Sequence, residues 1–191
     1  MKSILAVFVL LFSVVTLAGL EADFETIKNW GRSQEATGTI CEDIAQLRFM
    51  EKYPAPEYTV LTGISYSDKD RTLGELDVIV FNNSNHVAEI VAEVKCWKSP
   101  KSGLHKAHDQ RKRFLKNVHS SKALKFTWLQ DPKVKLTKTQ FNKVQEFMSV
   151  AQSGTQKDGF DYELPYTLKE LMQLRMDILK CQDSGACKKP E

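Results

Sequence analysis

The stretch GELDVIVFNNSNHVAEIVAEVKCWK, residues 74–98, is two apolar runs around an Asn-rich turn. Runs of this composition joined by a short polar turn form a β-hairpin. Yet Glu75, Asp77, Glu89, Glu93 and Lys95 interrupt the apolar runs. Burying an unpaired charge costs several kcal/mol or drives the group to neutrality. Either these side chains lie at a wet sheet edge, or they hold something, a metal ion foremost.

Which of the charges meet depends on register. Side chains alternate faces along a strand, and residues directly opposite in an antiparallel pair share a face. A four-residue loop at Asn82–Asn85 pairs Phe81 with His86 and separates Asp77 from Glu93. A loop one residue longer or shorter, or a single bulge, brings Asp77, Glu93 and Lys95 together. Granting that shift, two carboxylates converge with a lysine beside one of them. Carboxylates so close repel unless a cation sits between them. Oxygen ligands without Cys or His suit Mg²⁺, with Mn²⁺ as the second choice, rather than zinc.

The rest of the chain sets the frame. Residues 1–22 carry one Lys, an apolar run from Ile4 to Leu17 and small residues at Ala18 and Ala22. That is the layout of a secretory signal peptide, as in export to the bacterial envelope, giving a secreted or periplasmic protein. The competing reading is an uncleaved anchor; cleavage would leave no stable membrane association. Residues 23–191 are then expected as a single domain, with a core at about 39–130 and an extension over 131–191. Cys41, Cys96, Cys181 and Cys187 are disulfide candidates, and three connectivities are open. Cys181 and Cys187 flank a short Gly-containing loop that can close locally, leaving Cys41 and Cys96 to pair or stay reduced. Their spacings do not suit zinc.

Periodicity supplies the elements. Phe24, Ile27 and Trp30 stand at helical spacing in a short opening segment. Ile40, Ile44, Leu47 and Met50 mark a helix that opens with the box Thr39…Glu42 and stops at Tyr53-Pro54. Glu57–Tyr66, Glu75–Phe81 and Val87–Trp97 read as three strands, and Ser99-Pro100-Lys101-Ser102-Gly103 as a break. An amphipathic helix follows, with Leu104, Ala107, Phe114, Leu115 and Val118 on its apolar side, then a strand at Ala123–Gln130. Two C-terminal helices are expected, Thr137–Ala151 and Thr167–Lys180. The order is helix, three strands, helix, strand.

From Lys95 to Lys125 there are ten Lys or Arg and one acid, Asp109, although the whole chain is only +3. A block of this kind suits a polyanion, nucleic acid first; its plain alternative is a solvated helix face. Lys98, Lys106, Arg111, Lys112, Arg113 and Lys116 are the candidate phosphate contacts.

These residues together resemble the PD-(D/E)xK nuclease superfamily, over roughly Thr39 to Gln130. The motif is Asp77, then Glu93-Val94-Lys95, in the second and third strands of an αβββαβ order. Glu42 stands three residues before Ala45 in an E-x-x-A setting, and Gln110…Phe114 stands where one branch has Q-x-x-x-Y. The resemblance implies an α/β fold of restriction-endonuclease type, a mixed four-stranded sheet flanked by helices. It implies a Mg²⁺-dependent nuclease acting on nucleic acid, with DNA favoured over RNA. Asp77, Glu93, the Val94 carbonyl and Glu42 would hold the metal. Lys95 would orient or deprotonate the attacking water, and Gln110 would assist.

Plain readings stand beside these. Glu42 can be a helix cap, Gln110 an internally bonded amide, Glu75 a solvated acid, and His105-x-x-His108 a solvent-facing pair. Trp97 and Trp128 read as core. A binding module that lost catalysis would explain the basic surface. A disulfide-stapled structural or inhibitor domain would explain the cysteines but not the acids.

Overall fold

The computed structural model describes residues 19–190. The signal-peptide reading falls mainly on residues 1–18, outside the described residues. Among the described residues no helix is long and apolar enough to cross a membrane. The described residues form two compact units, one of residues 41–168 and one of residues 19–40 with 169–190.

The larger unit is built on one mixed sheet. Its strands are β1 (Tyr58–Asp68), β2 (Arg71–Asn82), β3 (Val87–Val94), β4 (Leu124–Trp128), β5 (Lys135–Leu136), β6 (Glu146–Ala151) and β7 (Tyr162–Glu163). Across the sheet they run β5-β4-β1-β2-β3-β6-β7. Pairing is antiparallel from β5 to β3 and parallel from β3 through β6 to β7. The α/β class and the order helix, three strands, helix, strand are therefore present, in a sheet of seven strands rather than four.

One expected helix is absent. Residues 137–151 do not form a continuous helix; they make a short 3₁₀ turn (Lys138–Gln140) and then β6. Phe141, Val144 and Phe147 do recur at helical spacing, but the run Phe147-Met148-Ser149-Val150-Ala151 is apolar on both sides of a two-residue repeat. Such a run suits a strand covered on both faces, which periodicity alone cannot separate from a helix. Its place beside β3 then decides the matter, since parallel pairing gives residues 146–150 backbone partners on that side.

Helix α2 (Thr39–Lys52) crosses the boundary of the units. Within the larger unit its Gln46 Nε2 donates to the Val60 carbonyl at 3.1 Å, and Phe49 meets Tyr162 edge-on. Helix α3 (Pro100–Val118) starts inside the stretch expected to be a break. Ser99 is extended and Pro100 follows at the first helical position, where its fixed φ favours a helix and its missing N–H costs nothing. Ile79, Phe81 and Val91 of the hairpin pack with Phe114 and Val118 of α3, Tyr66, Phe126 and Phe141 into one core cluster. Val78, Val80, Ile90 and Ala92 alternate with those positions and are buried too, so both faces of the hairpin are covered.

In the smaller unit, residues 19–27 form a helix, α1, over the opening segment expected to be helical. Helix α4 (Leu168–Ser184) buries Leu171, Leu174, Ile178 and Gln182. Arg175 donates to the carbonyls of Gln34 and Glu35, both at 2.7 Å, and Gln182 Nε2 donates to that of Arg32 at 3.0 Å. The cysteines pair Cys41–Cys96 within the larger unit and Cys181–Cys187 within the smaller. Two bridges fit an oxidising, extracytoplasmic setting. Cys41–Cys96 spans 55 residues, and closing such a loop stabilises by about 4 kcal/mol in the chain-entropy account.

Candidate active site

The turn of the hairpin is residues 83–86, closed by Asn82 opposite Val87. Counted straight down from that pair, Asp77 would face Ala92. The register instead shifts at Val80/Phe81: Phe81 pairs with Ala88 but Val80 with Ile90, leaving Glu89 as the extra residue of a bulge. The bulge is anchored on both sides. The Glu89 carboxylate takes Asn82 Nδ2 at 2.9 Å, and its carbonyl takes the Gln145 N–H at 2.9 Å. Below it Val78 pairs with Ala92, which sets Asp77 against Glu93 on one face. Of the alternatives the sequence leaves open, a changed loop length or a bulge, the bulge is the one that unites the acids.

Lys95 follows the end of β3, and its N–H donates to the Val150 carbonyl of β6 at 2.8 Å. Its ammonium donates to Asp77 Oδ2 at 2.5 Å, to the Val94 carbonyl at 3.0 Å and to Glu93 Oε2 at 3.4 Å. Asp77 Oδ2 also accepts the Val94 N–H at 2.8 Å. Asp77 and Glu93 are only 7% and 3% exposed. Burial first, and the nearby Asp77 second, hold the Glu93 carboxyl well above the usual range, partly offset by Lys95. Burial alone would lower Lys95, but Asp77 and then Glu93 outweigh it and raise the ammonium above its ordinary value. Two carboxylates and one peptide oxygen therefore converge on a single cationic centre.

Helix α3 comes close because it has a glycine there. A Cβ on Gly103 would lie 3.3 Å from Lys95 Cβ, tighter than an ordinary contact. Further along the helix, Ala107, His108 and Arg111 line a small cavity of about 10 Å³ with Glu93, Phe147, Met148, Ser149 and Asp161. The Arg111 guanidinium lies over the Phe147 ring, 5.2 Å from its centre. Ser149, opposite Glu93 on β6, has its N–H and hydroxyl on Asp161 Oδ2 at 2.8 and 2.7 Å. Ser149 and Asp161 escape a sequence-based search for site neighbours because residues 137–151 read as a helix. The signal that could have found them is the compact apolar run around Ser149.

The other expected site residues divide. Gln110 has its Oε1 buried and without a hydrogen-bond partner. Glu42 is half-buried in the first turn of α2. Among the described residues, no group of three His, Cys, Asp or Glu gathers as a metal cage, so Glu42 does not complete one with Asp77 and Glu93. The disulfide does bind its neighbour Cys41 to Cys96, the neighbour of Lys95. Lys98, Lys106, Arg111, Lys112, Arg113 and Lys116 are all exposed. Two of them have structural duties, Arg111 on Phe147 and Arg113 on the Tyr66 hydroxyl. Burial raises that hydroxyl's pKa. His105 faces Asp109 at 3.3 Å on the open side of α3. Trp128 is packed against the core and donates Nε1 to the Thr62 carbonyl at 3.0 Å. Trp97 is not core: β3 ends at Val94, and the residue is 43% exposed beyond the end of the strand.

Comparisons with protein-family models, with curated proteins and with solved structures found no match for this chain.

Proposed function

We propose that the protein is a metal-dependent nuclease of the PD-(D/E)xK type, exported from the cell and hydrolysing phosphodiester bonds, with DNA favoured over RNA. The observation that carries the reading is the convergence of Asp77, Glu93 and the Val94 carbonyl on one cationic centre. The order α2, β1, β2, β3, α3, β4 supports it, since that is the αβββαβ core the superfamily resemblance implies.

The donor set fits a hard divalent cation such as Mg²⁺ or Mn²⁺. It offers oxygens alone, and Mg²⁺ commonly takes one or two protein carboxylates. Asp77, Glu93 and the Val94 carbonyl would hold it; Glu42 is left out of that set. Such a cation supplies concentrated positive charge that polarises a phosphodiester. The chain's own residues do the rest. Lys95, held by three oxygens, would offer its ammonium to the charge that develops on the phosphate oxygens. Arg111 puts a second cation on the rim of the same cavity. The lysines on the open side of α3 draw the polyanion in.

Purified protein incubated with plasmid DNA and with RNA, in Mg²⁺ or in EDTA, tests the reading. Cleavage of DNA in Mg²⁺ and none in EDTA is expected; cutting in EDTA, or none in Mg²⁺ or Mn²⁺, overturns it. A second reading is a nucleic-acid-binding module without catalysis. It is favoured by the way Lys95 already neutralises the acids internally, as a structural ion cluster would. Tight binding of DNA without cleavage in either metal is its signature.

A further inference from the structure

Beside the acid cluster stands a side chain that the chemistry above does not use. Trp97 lies two residues beyond Lys95, within about 7 Å of chain. The residue is 43% exposed, although a tryptophan carries an aromatic surface of a size that folding normally buries. The backbone under it is nevertheless fixed. Cys96 is bridged to Cys41, and the Trp97 carbonyl accepts Gln152 Nε2 at 2.8 Å from a side chain only 6% exposed. Gly103 lets the first turn of α3 approach Lys95, and Lys98 and Lys101, both exposed, flank that turn in the chain. An exposed aromatic ring on an anchored backbone, with lysines nearby in the chain, is the arrangement on which unpaired bases stack while the phosphates are neutralised. A continuous duplex offers no free base face to such a ring.

We infer that Trp97 is a stacking platform for an unpaired base next to the scissile phosphate, so that the preferred substrate is single-stranded, frayed or gapped DNA. The inference rests on the nuclease reading of the neighbouring site and names its substrate class. Trp97 sets which strand binds; it takes no part in the bond-breaking step.

The test measures binding apart from cleavage, in the full chain carrying Asp77→Asn. A fluorescein-labelled oligothymidylate and a fully paired duplex of the same length are titrated by anisotropy, and indole emission is followed with the unlabelled strand. The expected result is quenching by the single strand, and a loss of about tenfold or more in single-strand affinity on Trp97→Ala. Duplex affinity should change less than about twofold, and Trp97→Phe should recover part of the loss, since a smaller ring still stacks. Circular dichroism on each variant separates misfolding from a failure to stack. Unchanged single-strand affinity in Trp97→Ala, or equal loss on both ligands in folded protein, overturns the inference. Failure of the wild-type chain to cleave in Mg²⁺ would instead defeat the nuclease reading, while the stacking measurement still decides the role of Trp97.

Discussion

Asp77, Glu93 and Lys95 sit in a dry end of the sheet, whereas Lys106, Lys112 and Lys116, a little further along the same chain, stand in solvent on α3. The two acids are locked by distances of 2.5 and 3.4 Å to the same ammonium. The lysines of α3 hold no such geometry. Away from water a charge interacts strongly and is felt by every neighbour, whereas at the surface water and salt screen it. On the nuclease reading, removing any one of the buried charges should therefore be felt by the other two. On the same reading, the exposed ones would act as a sum, through the counterions they displace.

The comparison can be broken most sharply at Asp77. Asp77→Asn keeps the size and an acceptor for the Val94 N–H but removes the charge. Turnover of DNA in Mg²⁺ should fall by at least about a thousandfold with the circular dichroism spectrum intact. Near-normal turnover would mean that the buried charges are structural. Lys95→Met comes next. It should cost about a hundredfold in turnover while calorimetry shows Mg²⁺ binding retained or tightened, because a cation that competes for the same oxygens has been removed. Collapse of metal binding in a folded variant would refute that role.

On the surface side, Lys106, Lys112 and Lys116 replaced together by Gln should weaken duplex and single strand alike, by roughly tenfold. The log–log salt slope should fall by about 0.9 for each duplex phosphate that the variant no longer neutralises. Arg111 and Arg113 are left alone, since their contacts with Phe147 and Tyr66 would confuse the result. An unchanged slope would mean that α3 is merely solvated.

The smallest effect is on stability. Glu93 has its folded pKa raised above the ordinary 4.5, so the native state holds that proton more tightly than the unfolded chain. In EDTA, stability contributed by this group is present below that value and is lost as pH rises through the folded pKa. Glu93→Gln cannot ionise, and its Tm should exceed that of the wild type by a few degrees at the top of that window and not at its foot. A constant difference across the window would remove the cause assigned to the shift.

Much of this arrangement is legible in the residues. The hairpin, the basic helix and the interrupting charges all follow from local pattern, and so does the expectation that one bulge would unite Asp77 with Glu93. Whether the bulge exists is not a local matter. It depends on Asn82 and on the backbone of Gln145, and the latter reaches Glu89 only because β6 lies alongside β3. Reading β6 as a helix hides that support, along with Ser149 and Asp161. Trp97 is misplaced for a similar reason: its composition says strand, but the sheet's partners stop at Val94.

The double-sided burial of the hairpin has a further consequence. In a sheet with one wet face, sliding a strand by one residue turns its apolar side chains into water, and the slip is forbidden by that alone. Between Val78 and Phe81, and between Ile90 and Ala92, every residue is buried on either side, so apolar contacts barely distinguish one alignment from the next. Besides the Asn82 and Gln145 contacts that anchor the bulge, the polar cluster distinguishes them: a slip would strand Asp77, Glu93 and Lys95 in the interior without each other, at several kcal/mol. The charges proposed to cut nucleic acid thus serve the folding chain first, as the mark by which two nearly featureless strands find their alignment.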